Sequence, residues 1–164
     1  MKCALIIPSW VPEEIFSSKT AGSQINYWQP LGTLYVASSL IKAGHAVQFL
    51  NGAFMKHDEI MDEIDKFKPE FIGIYSTTFG WKKAVYTAAE IRRGGFQPSP
   101  YIAVGGPYPI AMQEKCLEGS DDIDAVVSGE GEITVVEMLE RLSQGKSLRR
   151  RKATLLLLER CSAI

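Results

Sequence analysis

The feature that most constrains the fold is the alternation of short β-rich runs with segments of helical periodicity. The β-rich runs carry Ile, Val, Phe and Tyr, and most are followed by apolar residues at helical spacing. The predicted strands are residues 3–7, 46–50, 71–75, 101–104 and 124–127. This alternation is typical of βαβ units on a parallel sheet. The sequence therefore predicts a flavodoxin-like, doubly wound five-stranded α/β domain with helices on both faces.

Local signals place the helix boundaries. The first helix is predicted to begin near Pro30, a favoured first-turn residue, and to stop at Gly44, where a left-handed cap is easily formed. The second has Asp58 as its predicted N-cap and ends at Pro69. The other predicted helices are one that closes at Gly94 and Gly95, one over residues 108–117 and one that carries Val135, Leu139 and Leu142.

Two strand orders, 3-2-1-4-5 and 2-1-3-4-5, satisfy the rule of right-handed crossovers, and the residues do not separate them. In both orders, ligands bind at the carboxyl ends of the strands. The loops at that edge are residues 8–29, 51–56, 76–80, 105–108 and 128–131. The first is about 22 residues long and contains Trp10, Phe16, Tyr27 and Trp28, so we expect it to be ordered and functional.

Composition and charge exclude several classes of protein. The 164 residues fit one domain, and 18 Lys plus Arg against 19 Asp plus Glu produce no field that favours nucleic acid or an anionic membrane. No apolar run is long enough to span a bilayer, and no signal peptide is evident, so we expect a cytoplasmic protein. Cys3, Cys116 and Cys161 are too scattered to form an iron–sulfur or zinc site by themselves.

The loops also lack the residues for several reactions. The first strand ends Ile6-Ile7-Pro8-Ser9, without the acidic cluster that holds magnesium in a phosphotransfer receiver domain. The following loop lacks the glycine-rich pattern of a dinucleotide site. His45 and His57 lie away from any nucleophile and are predicted to be solvated or capping residues. We therefore expect no catalytic residue in this chain.

Three loops carry candidate binding residues. Ser76, Thr77 and Thr78 follow the third predicted strand and provide hydroxyls for an uncharged polar ligand, although capping of the next helix explains them as well. Gly105 and Gly106 follow the fourth strand and would let a bulky ligand approach the backbone, with a simple turn as the alternative. For Gly106 we expect an added side chain to collide mainly with the ligand.

The loop after the fifth strand reads Gly129-Glu130-Gly131-Glu132. Its two carboxylates would lie where the phosphates of a dinucleotide bind, which argues against that ligand. Glu132 is well placed to complement the dipole of the last helix. A tight turn that caps this helix and a contact with a ligand remain equally open.

Five motifs in order together resemble one family. They are Gln29-Pro30-Leu31-Gly32-Thr33-Leu34-Tyr35-Val36-Ala37, Ala43-Gly44-His45, Ser76-Thr77-Thr78, Val104-Gly105-Gly106-Pro107-Tyr108 and Gly129-Glu130-Gly131-Glu132. Residues 1–145 resemble the N-terminal cobalamin-binding domain of cobalamin-dependent radical S-adenosylmethionine enzymes. That group includes methyltransferases and the anaerobic magnesium-protoporphyrin monomethyl ester cyclases.

The resemblance implies the strand order 2-1-3-4-5, with the corrin ring over the strand ends and the nucleotide tail of cobalamin buried along the sheet edge. It also implies a set of cofactor-binding residues: Ser76, Thr77, Thr78, Gly105, Gly106, Pro107, Tyr108, Gly129, Glu130 and Gly131. The partners implied are cobalamin and a radical S-adenosylmethionine barrel domain in the full-length protein.

Two departures from the family qualify the resemblance. Related mutase and methionine synthase domains carry Asp-x-His-x-x-Gly after the first strand, whereas here Ser9-Trp10-Val11-Pro12 stands, so no histidine ligand to cobalt is expected from this loop. The cysteine motif of the iron–sulfur cluster and the barrel are absent, so cluster and S-adenosylmethionine belong to a missing domain. We therefore expect a fragment or truncated product, with residues 146–164 an irregular basic and apolar tail.

Two other functions compete with a cobalamin-binding module. One is a ligand-free regulatory or protein-interaction domain of the same fold. The other is a stand-alone enzyme that acts on a nucleotide sugar or uses a flavin. The substrate of the parent enzyme is not readable from these residues.

Overall fold

A computed structural model of the chain describes residues 1–10, 30–118 and 120–146, together with the backbone of residues 154–156. The strands are β1 (Lys2–Ile7), β2 (Ala46–Asn51), β3 (Phe71–Tyr75), β4 (Tyr101–Gly105), β5 (Ala125–Val127) and β6 (Thr154–Leu156). The α-helices are α1 (Leu31–Lys42), α2 (His57–Phe67), α3 (Trp81–Arg93), α4 (Pro107–Met112) and α5 (Gly131–Ser143). A short 3₁₀ helix, Gln113–Leu117, follows α4.

The strands form one parallel sheet in the order β2-β1-β3-β4-β5-β6. The predicted strands and the order 2-1-3-4-5 are confirmed. The described backbone adds β6, which pairs with β5 in parallel inside the segment for which no regular element was predicted. Central strands of a parallel sheet are buried on both faces, so they read as continuous apolar runs.

Two apolar layers cover the sheet. On one face, Ile72 and Ile74 of β3 pack against α2 and α3 through Ile60, Ile64 and Ala88. On the other face, residues of alternate parity point towards α1 and α5. They include Leu5, Phe71 and Ala103, which pack with Leu40 and Leu139. Because side chains alternate along a strand, Phe71, Gly73 and Tyr75 share this second face.

Two predicted helix boundaries needed correction. Asp58 is not the N-cap of α2, since the helix starts at His57 and Lys56 is the cap residue. The Lys56 amide donates to the Glu59 carboxylate at 2.8 Å, which satisfies the helix start and leaves Asp58 in the first turn, where its charge complements the helix dipole. The fourth predicted helix is α-helical only as far as Met112 and then tightens into 3₁₀ geometry.

A polar network lies at the amino edge of the sheet, where the strands begin. The Arg92 guanidinium of α3 donates to the carbonyl oxygens of Pro100 at 2.7 Å and of Asp122 at 3.1 Å, and it pairs with the carboxylate of Asp124. That carboxylate also accepts the amide of Ile102 at 2.8 Å. Arg92 therefore links α3 to the entry points of β4 and β5.

Candidate functional site

The hydroxyl groups after β3 are largely engaged by the loop itself. Ser76 is buried, and its hydroxyl donates to the carbonyl of Thr77 at 2.9 Å. The Thr77 hydroxyl accepts the amide of Gly80 at 3.2 Å, at the start of α3, whereas Thr78 is exposed. Thr77 therefore stabilises the turn that leads into α3, while the N-cap residue of that helix is Gly80. Ser76 mainly shapes the loop, and Thr78 is the member of the trio that faces solvent.

Gly105, the last residue of β4, and Gly106, which follows it, have different reasons to be glycine. Gly106 has φ 105° and ψ −176°, and a Cβ there would lie 2.7 Å from the Ser76 carbonyl oxygen and 2.9 Å from two ring carbons of Tyr75. Only glycine adopts this backbone without strain. The turn thus explains Gly106, which corrects the expectation that a side chain there would collide mainly with a ligand.

Gly105 has no positive φ, and among the described residues a Cβ there would meet nothing nearer than Val127 at 3.8 Å. The fold has room for a side chain at Gly105 and does not require glycine. A bare backbone at this position is what close approach of a bulky ligand needs. Of the two residues, Gly105 is therefore the better candidate for that role.

Pro107 and Tyr108 begin α4 and hold the β4 loop against the β3 loop. The Tyr108 amide donates to the Ser76 carbonyl at 3.3 Å, and its ring stacks on Trp81 with centroids 4.9 Å apart. Trp81 and Tyr108 both pack against the apolar layer of α2 and α3. Pro107 is exposed. These contacts assign Tyr108 a packing role on the face opposite to Phe71.

The loop after β5 caps α5 and brings it close to α1. Gly129 has φ 82°, and the Glu130 carbonyl accepts the Thr134 hydroxyl at 3.0 Å, while the Glu130 side chain is exposed. A Cβ on Gly131 would lie 3.0 Å from the side chain of Val36. A turn with Glu130 in the N-cap position therefore precedes α5, without a side-chain hydrogen bond to the helix start, and Gly131 is explained by helix packing.

These positions form a carboxyl-edge strip on the face covered by α1 and α5. The strip consists of Tyr75, Gly105, Val127, Gly131 and Val36. Tyr75 pairs with Gly105 across β3 and β4, Gly105 neighbours Val127, and Gly131 lies between Val127 and Val36. None of the five residues carries a formal charge at neutral pH. The strip suits a bulky, uncharged group better than a phosphate.

Sequence reasoning missed two residues at this edge. Tyr75 ends β3 half-buried, and burial raises the pKa of its phenol. The sequence did offer a signal for Tyr75. It is the last residue of a predicted strand and, four residues after Phe71, lies on the same face of the sheet. Gly52 donates its amide to Ile7 at 2.8 Å, and a Cβ there would lie 2.3 Å from the Ser9 nitrogen. Nothing in the sequence distinguishes Gly52 from an ordinary turn glycine.

The histidines and buried thiols offer no built metal site. The N-terminal amine lies 3.4 Å from His45 Nδ1 at the amino edge, and burial lowers the pKa of His45. His57 lies beside the Tyr86 ring, with centroids 5.1 Å apart. Burial raises the pKa of Cys116, and that of Cys3 to about 11. Within the described ranges, no group of three or more His, Cys, Asp or Glu side chains could hold a metal ion.

None of the described helices is long and apolar enough to cross a membrane. Some residues singled out in the sequence lie outside the described residues, and these are Val11, Pro12, Phe16, Tyr27, Trp28, Gln29 and Cys161.

Curated proteins of similar sequence align with most of this chain. An uncharacterised methyltransferase of Pyrococcus horikoshii is 32% identical over 91% of this chain and 31% of that protein. The anaerobic magnesium-protoporphyrin IX monomethyl ester cyclase of Rubrivivax gelatinosus is 27% identical over 73% of this chain and 22% of that protein. The chain thus spans less than a third of the length of these relatives.

Solved structures share the fold. The cobalamin-dependent S-adenosylmethionine radical enzyme OxsB, with aqua-cobalamin and S-adenosylmethionine bound, superposes with a TM-score of 0.69 at 18% identity, over 90% of this chain and 19% of that chain. The methanol:cobalamin methyltransferase complex of Methanosarcina barkeri superposes with a TM-score of 0.61 at 14% identity, over 88% of this chain and 46% of that chain.

The family profile named B12 binding domain matches residues 21–139, which is most of the chain. The match includes α1, every predicted site loop from β2 onward and most of α5. The resemblance predicted from the motifs is therefore confirmed, and the chain belongs to the family of B12 binding domains.

Proposed function

We propose that this chain is the cobalamin-binding module of a radical S-adenosylmethionine enzyme of the methyltransferase or cyclase type. It presents the corrin to a catalytic domain that the chain itself does not contain. The observation that carries the proposal is the carboxyl-edge strip, where bare backbone at Gly105 and uncharged side chains lie at the ligand-binding edge of the sheet.

The residues at this edge fit cobalamin's mixed chemistry. Its nucleotide tail is long and bulky, so it suits a strip with a missing Cβ at Gly105 and apolar walls at Val127 and Val36. The exposed hydroxyl of Thr78 can hydrogen-bond the periphery of such a ligand. When bound, cobalamin supplies a cobalt centre that carries and transfers alkyl groups.

Exposed apolar side chains gather at the same edge. Phe79 follows β3 and is 74% exposed, and Leu31 and Ile133 open α1 and α5 at 60% each. Exposed apolar surface of this kind can be covered by a ligand or by another domain. Their position supports a corrin ring and a catalytic domain above the strand ends.

The iron–sulfur cluster and S-adenosylmethionine are assigned to the rest of the parent enzyme. The chain has three cysteines, of which Cys3 and Cys116 are buried free thiols with raised pKa values. A cluster requires accessible thiolates at a fixed spacing. The domain alone is therefore inert towards S-adenosylmethionine in this proposal, and reconstitution with iron and sulfide leaves no stable cluster.

The experiment is a titration of the purified chain with hydroxocobalamin, followed by absorbance. Binding with displacement of the benzimidazole is expected, and Gly105→Val should weaken it because the branched side chain fills the strip. Ala43→Val adds methyl groups at the exposed end of α1, on the amino edge, and should leave the affinity unchanged.

Wild-type chain that binds no cobalamin would contradict the proposal. Electron paramagnetic resonance of the reduced complex tests the cobalt ligand. Nitrogen hyperfine structure from a protein imidazole would contradict a site without a histidine ligand, and His45→Ala and His57→Ala should leave the spectrum unchanged.

A further inference from the structure

Tyr75 is the one aromatic side chain in the carboxyl-edge strip. It ends β3 directly opposite Gly105 of β4, on the face that β3 shares with α1 and α5. Its ring carbons lie 2.9 Å from the position that a Cβ on Gly106 would occupy. The ring therefore lies against the bare glycine backbone and forms one end of the strip, with Val127 and Val36 towards the other.

Within the described residues, the phenol of Tyr75 has no hydrogen-bond partner. The side chain is half-buried, yet its hydroxyl makes no hydrogen bond to any other residue in the part of the chain that the structure describes. The hydroxyl of a buried tyrosine usually has a partner. By contrast, the ring of Tyr108, a second described tyrosine at this edge, is held by its stack on Trp81.

The strip combines the aromatic ring of Tyr75, a backbone without Cβ at Gly105 and side chains without formal charge. These features together suit a flat, neutral, aromatic group. Such a group gains contact with an aromatic ring by offset or edge-to-face packing, and it needs backbone without Cβ atoms to lie close to the sheet. The aromatic base of a cobalamin tail is a group of this kind. An anionic group alone would find no cation among the five residues of the strip.

We propose that Tyr75 contacts the aromatic base of the cobalamin tail through its ring and its hydroxyl, and thereby makes this domain select corrinoids that carry such a base. The inference rests on the proposed function and adds a specificity-determining residue to it.

The test compares two corrinoids, hydroxocobalamin and cobinamide, which lacks the nucleotide base. Absorbance titrations are made with wild type, Tyr75→Phe and Tyr75→Leu. Tyr86→Phe is the matched control, since Tyr86 lies on α3 beside His57. Tyr75→Phe should weaken hydroxocobalamin binding about 2- to 10-fold through the lost hydrogen bond. Tyr75→Leu should weaken it about 5- to 100-fold, because the ring contact is lost as well.

Cobinamide affinity should change less than about 2-fold in either variant, so the preference for the complete cofactor falls. Unchanged hydroxocobalamin binding in both variants overturns the inference, as does an equal loss for both corrinoids. If wild type binds hydroxocobalamin and the variants do so equally well, only the role of Tyr75 fails. If wild type binds neither corrinoid, the proposed function fails with it. Tyr75→Phe keeps the ring, so its result stands even if Tyr75→Leu folds poorly.

Discussion

Alanine at the two neighbouring glycines at the end of β4 should have different effects on the stability of the free protein. Gly106→Ala places a Cβ 2.7 Å from the Ser76 carbonyl oxygen, on a backbone with φ 105°. Gly105→Ala places its Cβ at ordinary contact distance, 3.8 Å from Val127, on a backbone without positive φ. The two changes add the same atoms one residue apart, so each is the control for the other.

The magnitudes follow from the local geometry. Strain at a glycine-only backbone costs about 1–3 kcal/mol, and the collision adds about 1–3 kcal/mol of overpacking. Against this, alanine lowers the entropy of the unfolded chain, which stabilises by about 0.4–1 kcal/mol. We expect Gly106→Ala to lower the free energy of unfolding by about 1–6 kcal/mol and the melting temperature by roughly 2–20 °C. Gly105→Ala keeps only the entropic gain, so it should be neutral or raise the melting temperature by a few degrees.

Thermal melts by circular dichroism without ligand provide the stability measurement, and hydroxocobalamin titration provides the binding measurement. In the titration Gly105→Ala should lose about 5- to 150-fold in affinity, because the methyl group enters the strip that the ligand occupies. A Gly106→Ala protein that melts with wild type would refute the assignment of Gly106 to the turn. A Gly105→Ala protein that melts normally and binds cobalamin normally would remove Gly105 from the site.

Three further predictions concern the rest of the fold. Gly52→Ala should lower the urea midpoint strongly because its Cβ would lie 2.3 Å from backbone. Gly32→Ala, whose Cβ would meet no described residue within 4 Å, should stabilise by up to about 1 kcal/mol, and equal midpoints would contradict this. In the same assay, Arg92→Met should lower the free energy of unfolding by about 1–3 kcal/mol, because two carbonyl oxygens and the Asp124 carboxylate lose their donor. The exposed control Arg93→Met should lower it by less than about 0.5 kcal/mol. Similar losses in the two variants would be evidence against the network. Cys3 has a folded-state pKa of about 11 against an ordinary 9.0, so its stability contribution, complete below pH 9.0, should be lost as pH rises through about 11. Between pH 9 and pH 11 the free energy of unfolding of Cys3→Ala should therefore fall less than that of wild type. Parallel stability curves for the two proteins would contradict this role of Cys3.

Much of the fold was predictable because local sequence and burial agree in this chain. The run of residues 71–75 is apolar on both faces, and only the centre of a parallel sheet accommodates that pattern. The stop signals at Gly44, Gly94 and Pro69 act within one turn of helix, so they needed no tertiary information. The start of α2 was predicted at the wrong residue. Asp58 is a favourable N-cap residue by type, but the Glu59 carboxylate accepts the Lys56 amide and so makes Lys56 the N-cap.

The candidate loops were also predictable, since parallel strands end at a common edge and the small and polar residues collect there. The different roles of the residues within these loops were not predictable from the sequence. Gly105 and Gly106 are the same letter in the sequence, and only φ 105° and the nearby Ser76 carbonyl separate a turn glycine from one beside open space. Tyr75 reads as one more apolar strand residue, and its register opposite Gly105 makes it a wall of the strip. The sequence by itself determined which segments become strands and helices, because those choices depend on neighbours within a few residues. The roles of these three residues were decided by the tertiary structure, because they depend on distances between strands that are far apart in the chain.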